Sequence, residues 1–587
     1  MDNASPLPKV VLIGDSIRLG YAPLVAQRLA GRAIVTGPAE NSGDSAHVLA
    51  HLTEWVIGEQ PDVVHLNCGL HDLKRARETG EYQVPLPQYV ANLRQIVQRL
   101  RAATTATLVF ATTTPVLDER HTRRDVPFDR AEADVRRYNE AAVEVMLEEG
   151  VPVHDLHALI EHAGPQRLLA GDGVHYTPEG YARLAEAVAD CVLRHLTIRR
   201  YRPLPVPASG PEAEAAYRED EARRDACVPP AYRALAVPDF VPPLDAADWQ
   251  RRRPQVYQAV WQSLGDLPPR PAPRTRTVSY ERRRGYTIER VSLDNGVDGE
   301  ISALVLVPEL LSRPAPAILW LHSSTPDKTQ VLIPHTNGGA EPLGEAFVRR
   351  GWVVLAPDAY WHGDRAGTGP AGPLETGRAE QESLFKFHLW FGRTLWGMFV
   401  RDDQIALDYL CSRPDVDAGR IGATGMSMGS TRAWWLAALD ERIAATVAVA
   451  CLTRYQNLIA HGQLRQHGIY YFTLGVAQAL RQRRRACADC AAAASRPDRG
   501  PGRRLARGRR ACAGREGGSS LRCSWGCRAL PERPLPAGWS HLYPRDACGD
   551  AGVVRALARA RLSRSLLPLP RLRPHSIWPR KPRPLSH

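Results

Sequence analysis

Two serine motifs in this chain have the residue types needed for nucleophilic chemistry. Gly14-Asp15-Ser16 follows a short apolar run near the N-terminus, and Gly425-Met426-Ser427-Met428-Gly429 lies far downstream. A serine hydroxyl is a weak nucleophile at neutral pH, so it needs a base within hydrogen-bond reach and an acid that orients that base. What each serine can do therefore depends on whether the chain supplies such partners.

The first serine has candidate partners about one domain-length later. Asp172 and His175 are three residues apart in a Gly-containing segment. This spacing allows the carboxylate to contact one imidazole nitrogen while the other nitrogen faces Ser16. The apolar run Lys9–Ile13 predicts a strand that ends just before Ser16. In a parallel sheet that end borders the ligand crevice, so the position is suited to catalysis.

Four short blocks together resemble the SGNH/GDSL hydrolase family over residues 8–195. In chain order they are Gly14-Asp15-Ser16, Gly43, Gly69-Leu70-His71-Asp72 and Asp172-Gly173-Val174-His175. The resemblance implies a flavodoxin-like α/β/α domain. It further implies that the serine of the first block is the nucleophile, that the histidine of the last block is the general base and acid, and that the aspartate there orients it.

The oxyanion hole implied by the resemblance uses the backbone N–H groups of Ser16 and Gly43. The third block of the family usually carries an Asn side chain as a further donor, whereas this chain has His71. An imidazole can also donate, and Asn67 and Gly69 are further candidates for the same part of the site. Two interpretations stay open: a working esterase, or a non-catalytic carbohydrate-binding module of the same fold.

The second serine lies in a strand–turn–helix context. The run Arg420–Thr424 predicts a strand, and a nucleophile elbow needs small residues on both sides of its strained serine. With Leu319-Trp320-Leu321-His322-Ser323 upstream, the region resembles an α/β-hydrolase over residues 275–470. The dienelactone-hydrolase and acetyl-xylan-esterase-like branch is the nearest match. His322, Ser323 and Met428 are the oxyanion candidates. A peptidase shares this fold, but no propeller precedes residue 275.

The acid and base of such a fold should follow Ser427 in that order along the chain. Beyond residue 473 no alternation of strands and helices is visible. Residues 539–548 can be back-translated so that a reading one nucleotide later gives GHTYTPEMRA, which resembles a final histidine loop. Residues 488–509 give an acid-loop-like sequence in the same frame. We therefore predict a frameshift between residues 472 and 480, a disordered tail and an inactive second site.

The net charge of +13 resides in that tail. Residues 481–587 hold 25 Lys and Arg against 6 Asp and Glu, which leaves 51 against 57 in the rest of the chain. Six of the 11 cysteines also lie in the tail, and the other five are scattered as in reduced proteins. No long apolar run or secretory leader is visible. We expect no nucleic-acid partner, no membrane partner and a cytoplasmic location.

These motifs must be positioned by an α/β protein of two units. We assign an SGNH domain to residues 1–198, a Pro/Arg-rich linker with a helical lead-in to 199–275, a truncated α/β-hydrolase to 276–475 and the basic tail to 476–587. Short apolar, β-branched runs predict buried strands. Those of the first unit are Lys9–Ile13, Asp62–Asn67, Thr107–Ala111 and Val151–His154. Those of the second are Glu300–Val307, Ala317–Leu321, Trp352–Ala356, Arg420–Thr424 and Ala445–Ala450.

The function predicted from these residues is that of a serine esterase. Ser16 would form an acyl-enzyme with acetyl or other short acyl esters of a small molecule or a carbohydrate. Neither a cofactor nor a metal is expected, and the sequence leaves the oligomeric state open.

Overall fold

The computed structural model describes residues 6–201, 210–233, 242–311, 313–334, 341–452 and 454–475. The predictions made for residues 476–587 lie outside these described residues. Within them the chain forms one 12-stranded mixed sheet, with a separate two-stranded ribbon. The predicted α/β class is confirmed.

The N-terminal unit is a doubly wound parallel sheet covered by helices. Its sheet strands run in the order β2-β1-β3-β5-β7, the flavodoxin-like arrangement, while β4 and β6 form the small ribbon. The strands are β1 Lys9–Ile13, β2 Ile34–Thr36, β3 Val63–Asn67, β4 Arg75–Ala76, β5 Thr107–Ala111, β6 Phe128–Asp129 and β7 Val153–His154. The helices are α1 Ser16–Arg28, α2 Ser45–Leu52, α3 Leu86–Ala103, α4 Asp118–His121, α5 Glu132–Glu148, α6 Leu156–Ala163, α7 Pro165–Leu168 and α8 Pro178–Arg200.

Helices of the connecting region lead into a second unit of mixed topology. An antiparallel set, β8-β9-β10-β12, passes into the parallel set β12-β11-β13-β14. The connecting helices are α9 Pro211–Cys227, α10 Pro230–Arg233 and α11 Ala246–Leu264. The strands are β8 Thr275–Arg283, β9 Tyr286–Asp294, β10 Glu300–Pro308, β11 Ala315–Leu321, β12 Val353–Pro357, β13 Val416–Met426 and β14 Ile443–Val449, and the helices are α12 Leu343–Val348, α13 Arg378–Trp390, α14 Leu395–Ser412, α15 Met428–Leu439 and α16 Tyr455–Ala460.

The predicted strands all form, β1 and β5 over the predicted residues and the others with one or both ends shifted by a few residues. Strand β3, for example, is buried along its whole length because helices cover both faces of the parallel sheet. Branched apolar side chains suit such a position, since they pack well on a pleated surface. The period and composition of these runs were therefore sufficient to place the scaffold of both serines.

The two units share one sheet, which the sequence did not predict. Strand β8 pairs antiparallel with β7, through Val153 with Arg282 and His154 with Glu281. Asp155 adds a backbone bond from its N–H to the carbonyl of Tyr280. The short edge strand of the first unit is thus covered by the first strand of the second, so neither edge is left open at this junction.

A buried charge cluster lies at the same junction. The Glu281 carboxylate is fully buried and receives Arg194 at 2.9 Å, His195 at 3.0 Å and Arg283 at 2.5 Å. Burial opposes its ionisation, but the two arginines and the hydrogen bond from His195 outweigh that effect and hold the pKa of Glu281 well below its usual range. Glu281 also lies within 4.8 Å of Cys191 and His195. Two arginines on the same carboxylate make this group an ion-pair cluster and not a cation site.

Candidate active site

Ser16 begins helix α1 immediately after strand β1. Asp15 caps the helix, its carboxylate accepting the backbone N–H of Ile17 at 2.8 Å. A Cβ on Gly14 would lie 2.7 Å from the Cβ of Arg18, so only glycine fits the turn. The Arg18 guanidinium is buried and donates to the carbonyls of Gly14, Pro38 and Glu40. The strand end, the cap and this arginine together fix the backbone that carries the serine.

The two predicted partners of Ser16 form one series of contacts with it, in which His175 contacts the serine and Asp172 contacts His175. His175 Nε2 is 2.9 Å from Ser16 Oγ, and His175 Nδ1 is 2.5 Å from Asp172 Oδ2. The other oxygen of Asp172 accepts the backbone N–H groups of Val174 and His175 at 3.0 and 2.9 Å. This is the arrangement in which an acid orients a base that can take the proton of a serine.

The surroundings of Asp172 favour the charged form of its carboxylate. Partial burial opposes ionisation of Asp172, but the hydrogen bonds from His175 and from the Val174 backbone outweigh it and lower its pKa to about 2. The carboxylate is therefore ionised throughout the neutral range and can stabilise an imidazolium on His175. His175 keeps about a third of its side-chain surface exposed, so the base remains accessible from solvent.

The oxyanion candidates of the first site differ in what they contact. The backbone N–H of Gly43 donates to Asn41 Oδ1 at 2.9 Å, and Asn67 Nδ2 donates to the carbonyl of Ala111 at 2.9 Å. Gly69 has a φ of 138°, and a Cβ there would lie 2.5 Å from Thr113 Oγ1. Asn67 and Gly69 thus shape the strand end, and Gly43 orients a side chain that the sequence analysis did not single out.

His71 is the candidate that reaches other side chains of the site. Its Nε2 is 3.4 Å from Asn41 Nδ2, and its Nδ1 is 3.0 Å from Lys74 Nζ. Burial, reinforced by the charges of Lys74 and Arg130, lowers the pKa of His71 to about 4. The imidazole is therefore neutral at pH 7. Neither Asn41 nor Lys74 was predicted, and their spacing along the chain gave no signal for either.

Ser427 has the backbone of a nucleophile elbow. It lies between β13 and α15 with a φ of 56°, a conformation that is strained for a residue with a Cβ. Gly425 and Gly429 both pack against the carbonyl of Leu321, where a Cβ would clash. The Ser427 N–H donates to the carbonyl of Val449 at 3.0 Å. Met428 follows as the first residue of α15 and is buried.

The upstream residues predicted for the second oxyanion hole are bound within the fold. His322 is fully buried, and its Nε2 accepts the backbone N–H of Ala359 at 2.9 Å, which leaves Nδ1 to donate to the carbonyl of Ser323 at 2.6 Å. The backbone N–H of Ser323 donates to Gln330 Oε1 at 2.9 Å. These contacts hold the loop after β11 in place and occupy both ring nitrogens of His322 and the Ser323 N–H.

The base of the second serine is absent from the described part of the chain. There, Ser427 Oγ has a hydrogen bond from Cys451 Sγ, at 3.8 Å, and none with an imidazole or a carboxylate. Strand β14, which follows the serine, is unusually exposed for a strand of this sheet, with Val447 61% and Val449 42% exposed. The turn that carries the second nucleophile is thus formed, but the described residues supply no base for it.

Comparisons with known proteins agree with this division. Residues 12–183 match the GDSL-like Lipase/Acylhydrolase family, and residues 319–472 match the Dienelactone hydrolase family. YtaP of Bacillus subtilis (strain 168), which is named as a hydrolase, is 34% identical over 231 residues, 39% of this chain and 72% of that protein. The isoamyl acetate-hydrolyzing esterase 1 homolog of Mus musculus is 28% identical over 194 residues, 30% of this chain and 76% of that protein.

Solved structures resemble the chain only weakly. The lipase/acylhydrolase of Enterococcus faecalis is 22% identical with a TM-score of 0.28, covering 32% of this chain and 95% of that one. An acetyl xylan esterase variant of Geobacillus stearothermophilus is 22% identical with a TM-score of 0.27, covering 33% and 97%. With such low scores, we draw nothing on substrate from them.

The chain belongs to the GDSL-like lipase/acylhydrolase family through its N-terminal unit and to the dienelactone hydrolase family through its second unit. It is accordingly a serine hydrolase of carboxylic esters, as predicted. Among the described residues, no helix is both long and apolar enough to cross a bilayer.

Proposed function

We propose that the esterase activity of this protein resides in Ser16, Asp172 and His175, and that its substrates are acetyl or other short acyl esters of small molecules or carbohydrates. The observation that carries the proposal is the unbroken series of contacts from Ser16 Oγ through His175 to Asp172. Ser427 contributes no turnover, since no described imidazole reaches it.

The steps follow from the geometry. His175 Nε2 accepts the Ser16 proton as Oγ attacks the ester carbonyl, and the Asp172 carboxylate stabilises the imidazolium. His175 then donates that proton to the leaving alcohol, which gives an acyl-enzyme on Ser16. A water molecule activated by the same imidazole releases the acid and regenerates the serine.

The names of the relatives support a short acyl chain in the substrate. Several of the matching proteins are named as homologs of isoamyl acetate-hydrolyzing esterase 1, a name that refers to an acetate ester. Carbohydrate esters fit the same chemistry, because His175, which would protonate the leaving alcohol, is partly exposed to solvent. The domain division, 1–198 for the active unit and 276–475 for the second, is part of this proposal.

Two matched serine variants of the full chain test the proposal. Ser16→Ala should reduce hydrolysis of 4-nitrophenyl acetate to the background, a loss of roughly 10³-fold or more. Ser427→Ala should leave the rate unchanged. Full activity in Ser16→Ala would rule out the proposal and favour the non-catalytic carbohydrate-binding alternative for the first unit.

A further inference from the structure

Arg130 is a buried arginine that has no carboxylate partner. It is 7% exposed and follows strand β6 directly. Its Nε donates to the carbonyl of Leu70 at 3.0 Å, and the centre of the Phe128 ring lies 4.9 Å from its Cζ. Among the described residues, its Nη1 and Nη2 have neither a hydrogen bond nor an ion pair. Because a guanidinium has five N–H donors, most of those of Arg130 are left for a ligand.

A neighbouring arginine has the partner that Arg130 lacks. Arg77, which follows β4 of the same two-stranded ribbon, is 2.8 Å from Asp129 Oδ1. Arg77 is partly exposed, where an ion pair contributes little to stability. A buried cation without a partner is unfavourable. The ribbon thus pairs its exposed arginine and leaves the buried one unpaired, which indicates a role in binding and not in stability.

Arg130 lies beside the segments that carry the catalytic residues. Leu70, which accepts its Nε–H, belongs to the loop after β3, and β3 pairs with β1, the strand that precedes the catalytic serine. The chain that leads to Arg130 is also bonded to the loop of Asp172, since the Leu117 N–H donates to the Gly173 carbonyl at 2.8 Å. Backbone and side-chain bonds therefore connect Arg130 to both parts of the relay.

The charge of Arg130 acts on both of these segments. Burial lowers the pKa of Arg130 to about 10, and the carboxylates of Asp15 and Asp172 oppose that shift. Asp15 directly precedes Ser16 in the chain. The guanidinium is therefore protonated at neutral pH and lies within electrostatic range of the serine turn and of the acid that orients His175.

Two further cations flank Arg130. The Lys74 ammonium is half-buried and lies 5.0 Å from the centre of the same Phe128 ring. Arg124 Nη1 is 3.7 Å from Asp172 Oδ2, beyond hydrogen-bond distance, and is itself buried without a hydrogen bond. None of the three cations donates a hydrogen bond to a carboxylate of the described chain. This side of the site therefore holds three cations with unused donors.

The carboxylates of the region are taken up by other donors. Asp15, Asp44 and Asp72 each accept the backbone N–H of a residue in the first turn of a helix, at 2.8 or 2.9 Å. Asp172 accepts His175 and two backbone N–H groups. These carboxylates balance the cations at a distance, but they leave the donors of the cations free for an acceptor that arrives with the substrate.

We propose that Arg130, with Lys74 and Arg124 beside it, binds an anionic group of the ester substrate, so that Ser16 acts preferentially on esters that carry a carboxylate or a similar oxyanion. A planar guanidinium with free donors matches such a group through two parallel hydrogen bonds. Two sources share this chemistry: an acyl part derived from a dicarboxylic acid, and an alcohol part such as an acidic sugar. The inference rests on the proposed function of Ser16 and names the class of its substrate.

The experiment compares charged and neutral esters on the full chain carrying Ser427→Ala, so that only Ser16 is measured. Mono-4-nitrophenyl adipate and its methyl ester differ in charge on the acyl side, whereas 4-acetoxybenzoate and its methyl ester differ on the alcohol side. The measured quantity is the ratio of kcat/KM for the charged ester to that for its neutral partner. Hydrolysis of each pair by free imidazole gives the ratio that intrinsic reactivity alone produces.

We expect one of the two ratios to exceed that of free imidazole by roughly 10-fold or more, since hydrogen bonds to charged groups are among the stronger ones. A preference in the adipate pair assigns the anion to the acyl side, and one in the benzoate pair assigns it to the alcohol side. A preference in neither pair, with the neutral esters hydrolysed through Ser16, would overturn the proposal and leave the proposed function intact. If Ser16→Ala keeps full activity, the proposed function itself has failed.

Arg130→Met tests the central cation. The ratio for the preferred pair should fall to about that of free imidazole, and because it is a ratio it is independent of any general loss of activity. Arg130→Lys keeps the charge without the planar fork and should retain part of the preference, which also serves as the test if thermal unfolding shows that Arg130→Met is not folded. Arg123→Met, at an exposed position, is the matched control and should leave the ratio unchanged. A folded Arg130 variant with the full preference would overturn the assignment.

Lys74→Met and Arg124→Met test the flanking cations. Each should lower the ratio by roughly 2- to 5-fold, because partly exposed charges contribute less than a buried one. Arg124 also lies beside Asp172, so kcat/KM for the neutral ester is measured separately. A loss of equal size on the charged and neutral esters would mean that the residue acts on the relay or on the fold, and would remove it from the anion site.

Discussion

The two serines of this protein occupy comparable positions at opposite ends of one sheet, yet among the residues that the structure describes only Ser16 has a base. Both follow a parallel strand and both begin a helix. Ser16 obtains His175 from the segment just before α8, within the same unit. Ser427 has the strained elbow, but among the described residues its hydroxyl is hydrogen-bonded to a cysteine and not to a histidine. The turn that carries a nucleophile is formed by residues next to it in the sequence, whereas its base and acid come from elements far along the chain.

The largest effect is expected from restoring the second relay. A full chain in which the codons after about residue 472 are read one nucleotide later should regain an acid and a histidine loop. In a Ser16→Ala background we expect hydrolysis of 4-nitrophenyl acetate to rise by roughly 10³-fold or more, as for a completed triad. The same chain with Ser427→Ala is the control. A folded restored chain without Ser427-dependent turnover would refute the frameshift hypothesis, as would stop codons in that frame of the gene.

Asp172→Asn should weaken the first relay strongly without changing its geometry. The neutral amide cannot stabilise the imidazolium and can hold His175 in the wrong tautomer, so kcat should fall by roughly 10²- to 10⁴-fold. Asp125→Asn is a matched control, since Asp125 is exposed in the same part of the unit. A loss below about tenfold would indicate that another group orients His175.

Asp172 should also make the folded chain less stable as the pH falls below about 4. Its pKa is lowered to about 2 in the folded chain from an ordinary value of 3.8. The unfolded chain therefore binds more protons on this group between about pH 4 and pH 2, and the stabilisation it provides is lost as the pH falls through that window. Asp172→Asn should lower the unfolding temperature at pH 7 and have progressively less effect below pH 4. An equal effect at both extremes would contradict this.

The junction between the two units should contribute to the stability of both. Glu281→Gln removes the buried carboxylate that pairs with Arg194 and Arg283, which we expect to cost about 3–5 kcal/mol of unfolding free energy. Urea unfolding followed by tryptophan fluorescence measures it, with the exposed Glu309→Gln as control. If one of two separate transitions shifts while the other is unchanged, the shared sheet does not couple the units.

The smallest effect concerns the exposed strand next to the second serine. Val447→Lys should change the unfolding free energy by at most about 0.5 kcal/mol, because Val447 is 61% exposed. It should reduce any self-association of the β14 region, measured by sedimentation velocity, since a charge discourages pairing along a strand. Val297→Lys, at a site 40% exposed in the β9–β10 turn region, should leave association unchanged. Equal self-association of both variants would show that the β14 region does not mediate association.

Much of the scaffold was predictable, because its signals are local. The run Lys9–Ile13 became β1 without a shift, and Thr107–Ala111 became β5. A few consecutive apolar, β-branched residues are enough to predict a buried strand. The glycines near Ser16 and Ser427 likewise predict the turns that carry the two serines. The pairing of Ser16 with Asp172 and His175 also followed from the order of four short blocks, which a shared fold brings to one sheet edge.

Other features depended on contacts that the spacing of residues along the chain does not predict. Asn41 meets His71 across 30 residues because β2 and β3 lie on either side of β1, and Lys74 meets the same ring through a turn of the loop after β3. The pairing of β7 with β8 joins segments more than a hundred residues apart, through backbone groups that carry no side-chain signature.

By itself, the sequence determined the class of protein, the strands that hold each serine and the identity of the first relay, since each depends on residue type and short-range order. The tertiary structure alone decided that Asn41 and Lys74 flank the His71 ring, that the two units form one sheet, and that Ser427 is without a base among the described residues. Those outcomes depend on which distant groups burial brings within hydrogen-bond distance.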